Sequence, residues 1–360
     1  MKLYLSILLL IVFPLLAHAG QKVEIKVDYS RSADIFEVMD NVANWWPGFN
    51  EEEYFKYWEK EFGISEKDKE LFSRYSKIRE KYYDDPDQKE KNPLLNRNGF
   101  FSTNGSSTAD PFAEAFYSSN SLDEALLKLS KLLSTEEFVF AKEFYDHFKP
   151  KYEKLIEKDG ADFSSSIKLV RDTFAKKGVG RFFDQVAKFY DVKGVIKYRV
   201  LFTWWPPLNR SNASPTGGYL IMRYSPTKHS GRNESDVVSH EIVHTISAKQ
   251  TLEQKKSLTE LFLKKCAVQD HLKKLTILEE PLAVVFGQLL FSEQFQRERF
   301  SLADNLYNNP WINSFSRALF VPIKMRFEKG ETIRQGTIDD AATICGDLQK
   351  AASMLTSAAK

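Results

Sequence analysis

The chain has 360 residues, of which 42% are hydrophobic and 14% aromatic, and this length can form one large or two compact folded units. It carries 51 basic and 49 acidic residues, so its formal net charge is only +2. A balance this close to neutral gives no strong electrostatic field. We therefore expect neither nucleic acid nor an anionic membrane surface as a partner.

The first residues follow the order of a secretory signal peptide. Met1-Lys2 is a short basic start, an apolar run extends from Leu3 to Leu16, and Ala17-His18-Ala19 is a small-residue cleavage site. We predict cleavage after Ala19 and a secreted or periplasmic protein, and the compact leader favours a bacterial source. An uncleaved N-terminal anchor is the alternative. No later segment has about 18 consecutive apolar residues, so no stable membrane span is expected after cleavage.

The first half of the chain is predicted to be mainly α-helical after one short strand at 22–28. Segments rich in Pro, Gly and Asn separate the helical patterns. The predicted helices cover residues 33–43, 51–61, 66–83, 122–133, 135–157 and 163–190.

The pattern changes near Val192. Residues 195–205 are β-branched and aromatic and predict a strand, 209–218 predicts a turn-rich loop, and 218–224 predicts a second strand. Later helices are predicted at 252–275, 280–299, 311–328 and 338–355. We therefore predict a predominantly helical α+β fold, with a helical domain at 20–191 and a second domain at 192–360.

The pattern that most directly indicates a chemistry is His240-Glu241-Ile242-Val243-His244. Residues four apart lie on one face of a helix, so both imidazoles can approach one metal ion. Glu241 lies beside them, where its carboxylate could take a proton from an attacking water. This is the HExxH pattern of zinc metallopeptidases.

The residues around the motif favour a metal site over a chance match on a solvated helix. Asn233 or Ser235 can cap the helix that carries the motif. Val238, Ile242 and Ile246 recur every four residues and predict an apolar stripe that packs on the core. The two histidines then face a different surface.

A catalytic zinc ion needs a third protein ligand, and the six residues after the motif contain no further histidine. A downstream acid is therefore expected. Glu253 and Glu260 are predicted to lie on the solvated face of the next helix. Glu279 and Glu280 are the better candidates, because the gap after His244 is long enough for a returning helix.

Of these two acids we favour Glu280 as the ligand. It shares a helix face with Ala283 and Gly287, whose small side chains would let two helices approach closely. Glu279 is the alternative ligand, although Thr276-x-x-Glu279 also fits a helix capping box.

The motif, its flanks and the segment around Glu280 resemble the gluzincin class of zinc metallopeptidases, over about residues 217–287. Residues 277–283 are similar to the Glu-Gly-Leu-Ala segment that begins the second ligand helix in many members, with Pro281 in place of Gly. The resemblance implies a zincin-like domain at 192–360 and Zn²⁺ as cofactor. It also implies His240, His244 and Glu280 as metal ligands and Glu241 as general base.

The same resemblance implies that the substrate is a peptide or protein. In such peptidases an edge strand before the motif helix pairs with extended substrate, and Gly218, Tyr219 and Leu220 occupy that place here. An ordinary sheet strand is the alternative. Members also use a Tyr or His donor to stabilise the oxyanion, for which Tyr307 and His271 are candidates.

Two other functions stay open. One is a non-catalytic secreted binding protein on the same scaffold, and the other is a structural exported protein in which the motif is accidental. The chain has only two cysteines, Cys266 and Cys345, which could form one disulfide or remain two buried thiols.

Overall fold

The computed structural model describes residues 23–45, 52–82, 110–159, 163–208, 212–216, 218–229, 231, 233–264, 266 and 277–358. Over these ranges the chain has a mostly helical α+β fold with one four-stranded sheet, which confirms the predicted fold class. The predicted signal peptide, 1–19, lies outside the described residues. Among the described helices, none combines the length and apolar character needed to cross a bilayer.

In the described part of the first half, one strand precedes a series of helices. In chain order these are β1 Val23–Tyr29, α1 Arg31–Val42, α2 Glu52–Phe62, α3 Glu66–Tyr82, α4 Pro111–Tyr117, α5 Leu122–Leu129, α6 Thr135–Lys158, α7 Ser164–Phe174 and α8 Val179–Phe189.

The second half adds the remaining strands before a further series of helices. These are β2 Ile196–Trp204, β3 Asn212–Thr216, β4 Tyr219–Tyr224, α9 Pro226–His229, α10 Ser235–Ala248, α11 Leu252–Leu263, α12 Glu279–Ala283, a π-helix Val284–Leu290, α13 Phe291–Phe295, a 3₁₀ turn Arg297–Arg299, α14 Pro310–Glu328 and α15 Gln335–Ala358.

Two local features differ from the prediction for the first half. The single helix expected at 163–190 is two helices, because Gly178 has a φ of 102° and so ends any continuous helix there. Helix α4 was not predicted. It begins after Asp110, whose carboxylate accepts hydrogen bonds from Phe112 N–H and Ala113 N–H, and has Pro111 in its first turn.

The sheet has the strand order β1-β2-β4-β3. Strands β1, β2 and β4 are parallel, and β3 is antiparallel to β4. The prediction of a loop at 209–218 is wrong for this part, since β3 forms there. Pro215 fits β3 because this strand lies at the edge of the sheet, where a missing N–H is tolerated.

Helices cover both faces of the sheet. On one face Arg223 of β4 pairs with Glu37 of α1. On the other face Tyr198 of β2 accepts a hydrogen bond from Thr245 of α10 at 2.5 Å. The sheet is therefore a middle layer, and the motif helix packs on the face away from α1.

Strand β1 joins the sheet to the start of the described chain. Val23 pairs with Ile196, so the boundary predicted near residue 192 separates two strands that are direct neighbours in the sheet. The outer edge of β1 is capped by side chains. Asp184 accepts from Val23 N–H at 3.0 Å, and Arg171 donates to Val27 O at 2.7 Å. One cluster of buried apolar side chains runs through both halves of the described chain.

The two cysteines form a disulfide, which is one of the two alternatives left open by the sequence. Cys266 lies just beyond α11, and Cys345 lies within α15. Both side chains are fully buried. The bond thus ties the segment between the two predicted ligand helices to the last helix.

Candidate metal centre

The helix that carries the motif is α10, and its apolar stripe is as predicted. Val238, Ile242 and Ile246 are each no more than 1% exposed. The cap differs from the prediction. Glu234 holds the N-cap position without a capping side-chain bond, while Asn233 Oδ1 accepts from Ser235 N–H at 3.1 Å.

A second helical segment, built from α12, the π-helix and α13, crosses α10 in the opposite direction. Residues near the start of α10 contact the 3₁₀ turn that follows this segment, since Arg299 forms a two-pronged ion pair with Asp236. Residues near the end of α10 contact its start, since His244 lies 3.4 Å from Glu280. Each helix therefore contributes to one site from its own side.

Gly287 marks the closest approach of the two helices. A Cβ placed at this position would lie 2.3 Å from His240 Cα and 2.4 Å from His240 N. Ser239 Oγ also donates a hydrogen bond to the Gly287 carbonyl. The predicted role of small residues in bringing the two helices together is thus confirmed at Gly287.

Three side chains from these helices converge. His240 Nε2 and His244 Nε2 lie 3.0 Å apart, His240 Nε2 lies 3.4 Å from Glu280 Oε2, and His244 Nε2 lies 3.4 Å from Glu280 Oε1. Two ligands bound at about 2.0–2.2 Å to a tetrahedral zinc ion are roughly 3.3–3.6 Å apart. The triangle of donor atoms therefore has the size that a single small metal ion requires.

The surroundings of these donors also fit a bound cation. Glu280 Oε2 is buried and has no hydrogen-bond partner within the described residues, so a metal ion would satisfy it. The side chains of His240, His244 and Glu280 are 7%, 12% and 19% exposed, so solvent reaches only a small part of each. This group could bind a metal ion.

Glu241 is partly enclosed and lies close enough to His240, His244 and Glu280 for their charges to act on its carboxyl group. Burial raises the pKa of Glu241 above its ordinary value, and the charges of Glu280 and Glu279 add to this effect against the opposing influence of His240 and His244. A carboxylate with a raised pKa is a better proton acceptor at neutral pH than an ordinary glutamate.

The histidine and carboxylate donors strongly affect each other. Burial by itself would lower the pKa of His244, but the charge of Glu280 and hydrogen bonds to Glu279 and Glu280 hold it well above the usual range. Burial would raise the pKa of Glu280, but the two histidines hold it well below its usual value. Glu280 is thus an ionised carboxylate, which is the form that binds a metal ion.

Tyr307 lies against this group. Its ring centroid is 6.3 Å from that of His240. Burial raises the pKa of Tyr307, and the charge of Glu280 and a hydrogen bond to that carboxylate add to the effect. The hydroxyl therefore keeps its proton and can act as a donor near neutral pH. His271, the other candidate donor, lies outside the described residues.

Glu279 does not join the three converging donors. Its Oε1 lies 3.0 Å from His244 Nδ1, on the opposite side of the imidazole from Glu280. The expectation that Glu279 serves as an N3 capping residue is also wrong, because α12 begins at Glu279 itself. Thr276, the proposed cap, lies outside the described residues.

The predicted substrate strand needs a correction. Both sides of β4 are already paired, since Tyr219 pairs with Arg199 of β2 and with Thr216 of β3. The expectation that Gly218, Tyr219 and Leu220 form an edge strand is therefore wrong. The edge strand next to β4 is β3, and α10 packs against it.

Two further contacts at the site were not predicted from the sequence. Ser247 Oγ donates to Glu279 Oε1 at 3.2 Å, and Arg299 fixes the first turn of α10. Ser247 follows His244 by three residues, so helical spacing places both on one face and could have indicated the contact. Arg299 is separated from Asp236 by 63 residues, and no local pattern indicates such a pairing.

Comparison of the chain with protein-family models, with curated proteins and with solved structures found no match.

Proposed function

We propose that this protein is an exported zinc-dependent peptidase with a zincin-like domain of the gluzincin type. The observation that carries the proposal is the convergence of His240 Nε2, His244 Nε2 and Glu280 within 3.0–3.4 Å of one another. Two imidazoles, each binding through a deprotonated Nε2, and one carboxylate are a typical donor set for catalytic zinc, with a remaining position for water or substrate.

Glu241 and Tyr307 supply the other chemical groups that the reaction needs. When bound, zinc supplies a Lewis acid that polarises a peptide carbonyl and lowers the pKa of a neighbouring water. Glu241 accepts the proton of the attacking water and later donates it to the leaving amine. Tyr307 O–H donates a hydrogen bond to the oxygen on which negative charge develops. The peptide carbon thereby gains one bond to oxygen and loses its bond to nitrogen.

The substrate in this proposal is an extended peptide or protein segment. It would add to the sheet at β3, because β3 is an edge strand beside the motif helix and β1 is the more distant edge, capped by Asp184 and Arg171. Main-chain hydrogen bonds along an added strand hold a substrate without selecting its side chains.

Two observations support export. The order of basic, apolar and small residues over 1–19 is that of a signal peptide. The Cys266–Cys345 disulfide fits an oxidising compartment, where such bonds persist.

The proposal is tested by measuring zinc content and peptide cleavage in wild type and in Glu241→Gln. We expect about one equivalent of zinc in both proteins. Cleavage of a broad peptide library should fall by about 100- to 10,000-fold in Glu241→Gln, because the variant lacks the proton acceptor. Glu260→Gln is the matched control, since Glu260 is an exposed acid on α11.

Lack of zinc and lack of cleavage would contradict different parts of the proposal. Less than about a tenth of an equivalent of zinc in wild type would exclude the metal centre. If wild type binds zinc but cleaves no better than Glu241→Gln on every substrate, the protein is a non-catalytic binding protein instead.

A further inference from the structure

Glu279 is the most enclosed acid next to the metal centre and has no part in the proposed reaction. Its side chain is 1% exposed. Oε1 of this carboxylate lies 3.0 Å from His244 Nδ1 and accepts a hydrogen bond from Ser247 Oγ at 3.2 Å. A buried carboxylate is costly unless its oxygens are hydrogen-bonded, so a proton on His244 Nδ1 is favoured over a lone pair facing Glu279.

The tautomer of His244 follows from this contact. A neutral imidazole carries one N–H, and the other nitrogen has a free lone pair. If the proton is on Nδ1 and faces Glu279, the lone pair is on Nε2 and faces His240 and Glu280. The ring is then both oriented and chemically prepared to bind a metal ion through Nε2.

We propose that Glu279 is a positioning residue for zinc binding: it holds the His244 Nδ1 proton so that Nε2 binds the metal, and Ser247 fixes the carboxylate in turn. This inference rests on the proposed function. It assigns the two consecutive acids to different tasks, with Glu280 touching the metal and Glu279 acting through His244.

A carboxylate at this position orients His244 more strongly than a neutral acceptor would. A hydrogen bond from Nδ1–H to an anion is stronger than one to a neutral oxygen, and it increases the electron density on Nε2. Loss of such a partner typically weakens metal binding by about 10- to 100-fold. Ser247 also helps, because its hydroxyl offsets part of the cost of burying the charge.

The test compares three variants by zinc titration against a chromophoric chelator. Glu279→Leu keeps the volume but removes every acceptor, Glu279→Gln keeps an acceptor oxygen without the charge, and Glu260→Gln is the control on an exposed surface. We expect zinc affinity to fall by about 10- to 100-fold in Glu279→Leu, by less in Glu279→Gln, and to stay unchanged in Glu260→Gln.

Two spectroscopic measurements separate positioning from general loss of structure. In zinc-loaded protein, the His244 Nδ1–H signal in proton–nitrogen spectra should be present in wild type and Glu279→Gln and absent in Glu279→Leu. In cobalt-substituted protein, both Glu279 variants should keep the visible absorption of a tetrahedral site, whereas Glu280→Ala should change it. If Glu279→Leu does not fold, the weaker affinity and the shifted Nδ1–H signal of Glu279→Gln still test the inference.

Several outcomes would overturn the inference. Zinc affinity within about twofold of wild type in both Glu279 variants would show that the contact is not used. A cobalt spectrum that changes in the Glu279 variants but not in Glu280→Ala would make Glu279 the ligand. A wild type that binds no zinc would remove the proposed function as well, so this failure is distinguishable from the other two.

Discussion

Glu279 and Glu280 are consecutive residues of one type, yet they lie on opposite sides of His244. Successive residues of a helix point about 100° apart, so the rotation of this helix about its axis decides which acid faces both histidines. Here the helix begins at Glu279 and Pro281 lies in its first turn, where the missing N–H is not needed. The sequence limited the candidates for a third metal ligand to Glu279 and Glu280. Two adjacent acids cannot be told apart by residue type or by distance along the chain, so only the folded geometry distinguishes them.

Tyr307 gives a prediction about a single hydroxyl. In Tyr307→Phe we expect kcat to fall by about 100- to 1,000-fold with little change in KM, because the removed donor acts on charge that develops only in the transition state. Steady-state kinetics on the best library peptide measure the two constants. Zinc content should stay at the wild-type level, since no donor atom of the metal centre is removed. A kcat within twofold of wild type would assign Tyr307 to packing against His240.

Among the helices and strands, those with strong periodic patterns in the sequence were predicted correctly. The stripe of Val238, Ile242 and Ile246 predicted α10, and alternating or β-branched runs predicted β1, β2 and β4. Strand β3 was missed because Asn212–Thr216 has little β propensity and pairs only through its neighbour β4. The π-helix Val284–Leu290 was predicted only as part of one continuous helix at 280–299, because a short π-helix within a helical segment has no distinct sequence pattern.

Substitution of Gly287 tests the close contact between α10 and the π-helix. In Gly287→Ala the new methyl group would lie 2.3 Å from His240 Cα, and backbone on both sides cannot rotate away as a side chain could. The helices must separate, so we expect unfolding free energy to fall by at least about 1–3 kcal/mol and zinc affinity to fall with it. Urea unfolding and chelator competition measure the two effects.

Gly180→Ala is the matched control for this substitution. Gly180 lies in α8, and a Cβ there would have no atom within 4 Å. Alanine is the better helix former, so this variant should be neutral or up to about 1 kcal/mol more stable. If Gly287→Ala and Gly180→Ala had the same free energy of unfolding and the same zinc affinity, the close approach at Gly287 would be contradicted.

In the molecule as a whole, the sheet connects the helical first half to the candidate metal centre. Strand β1 pairs with β2, α1 packs on one sheet face, and α10 packs on the other. The sequence predicted both groups of elements but not their arrangement in one sheet. The alternation of polar and apolar residues within a strand predicts that the strand forms. It does not indicate which distant strand will pair with it.

The disulfide gives a prediction for global stability. Cys266 and Cys345 are 79 residues apart, and the loop that they close contains Glu280, the π-helix and α14. Loss of the bond in the double variant Cys266→Ala/Cys345→Ala should lower the free energy of unfolding by about 2–5 kcal/mol, since the unfolded chain regains the freedom of a long loop. Urea unfolding of oxidised wild type and the double variant measures the difference. An unchanged midpoint would mean that packing of α15 alone holds this region.

The pairing of β1 with β2 has a consequence for the order in which the molecule can assemble. Every pair in this ladder joins residues 173 positions apart, from Val23 with Ile196 to Tyr29 with Phe202. During synthesis the first strand must wait until the second has been made, and long-range pairing of this kind slows folding. Because the chain is synthesised from its N-terminus, β1 can pair with β2 only after the described helices of the first half have left the ribosome. The sheet is therefore completed late.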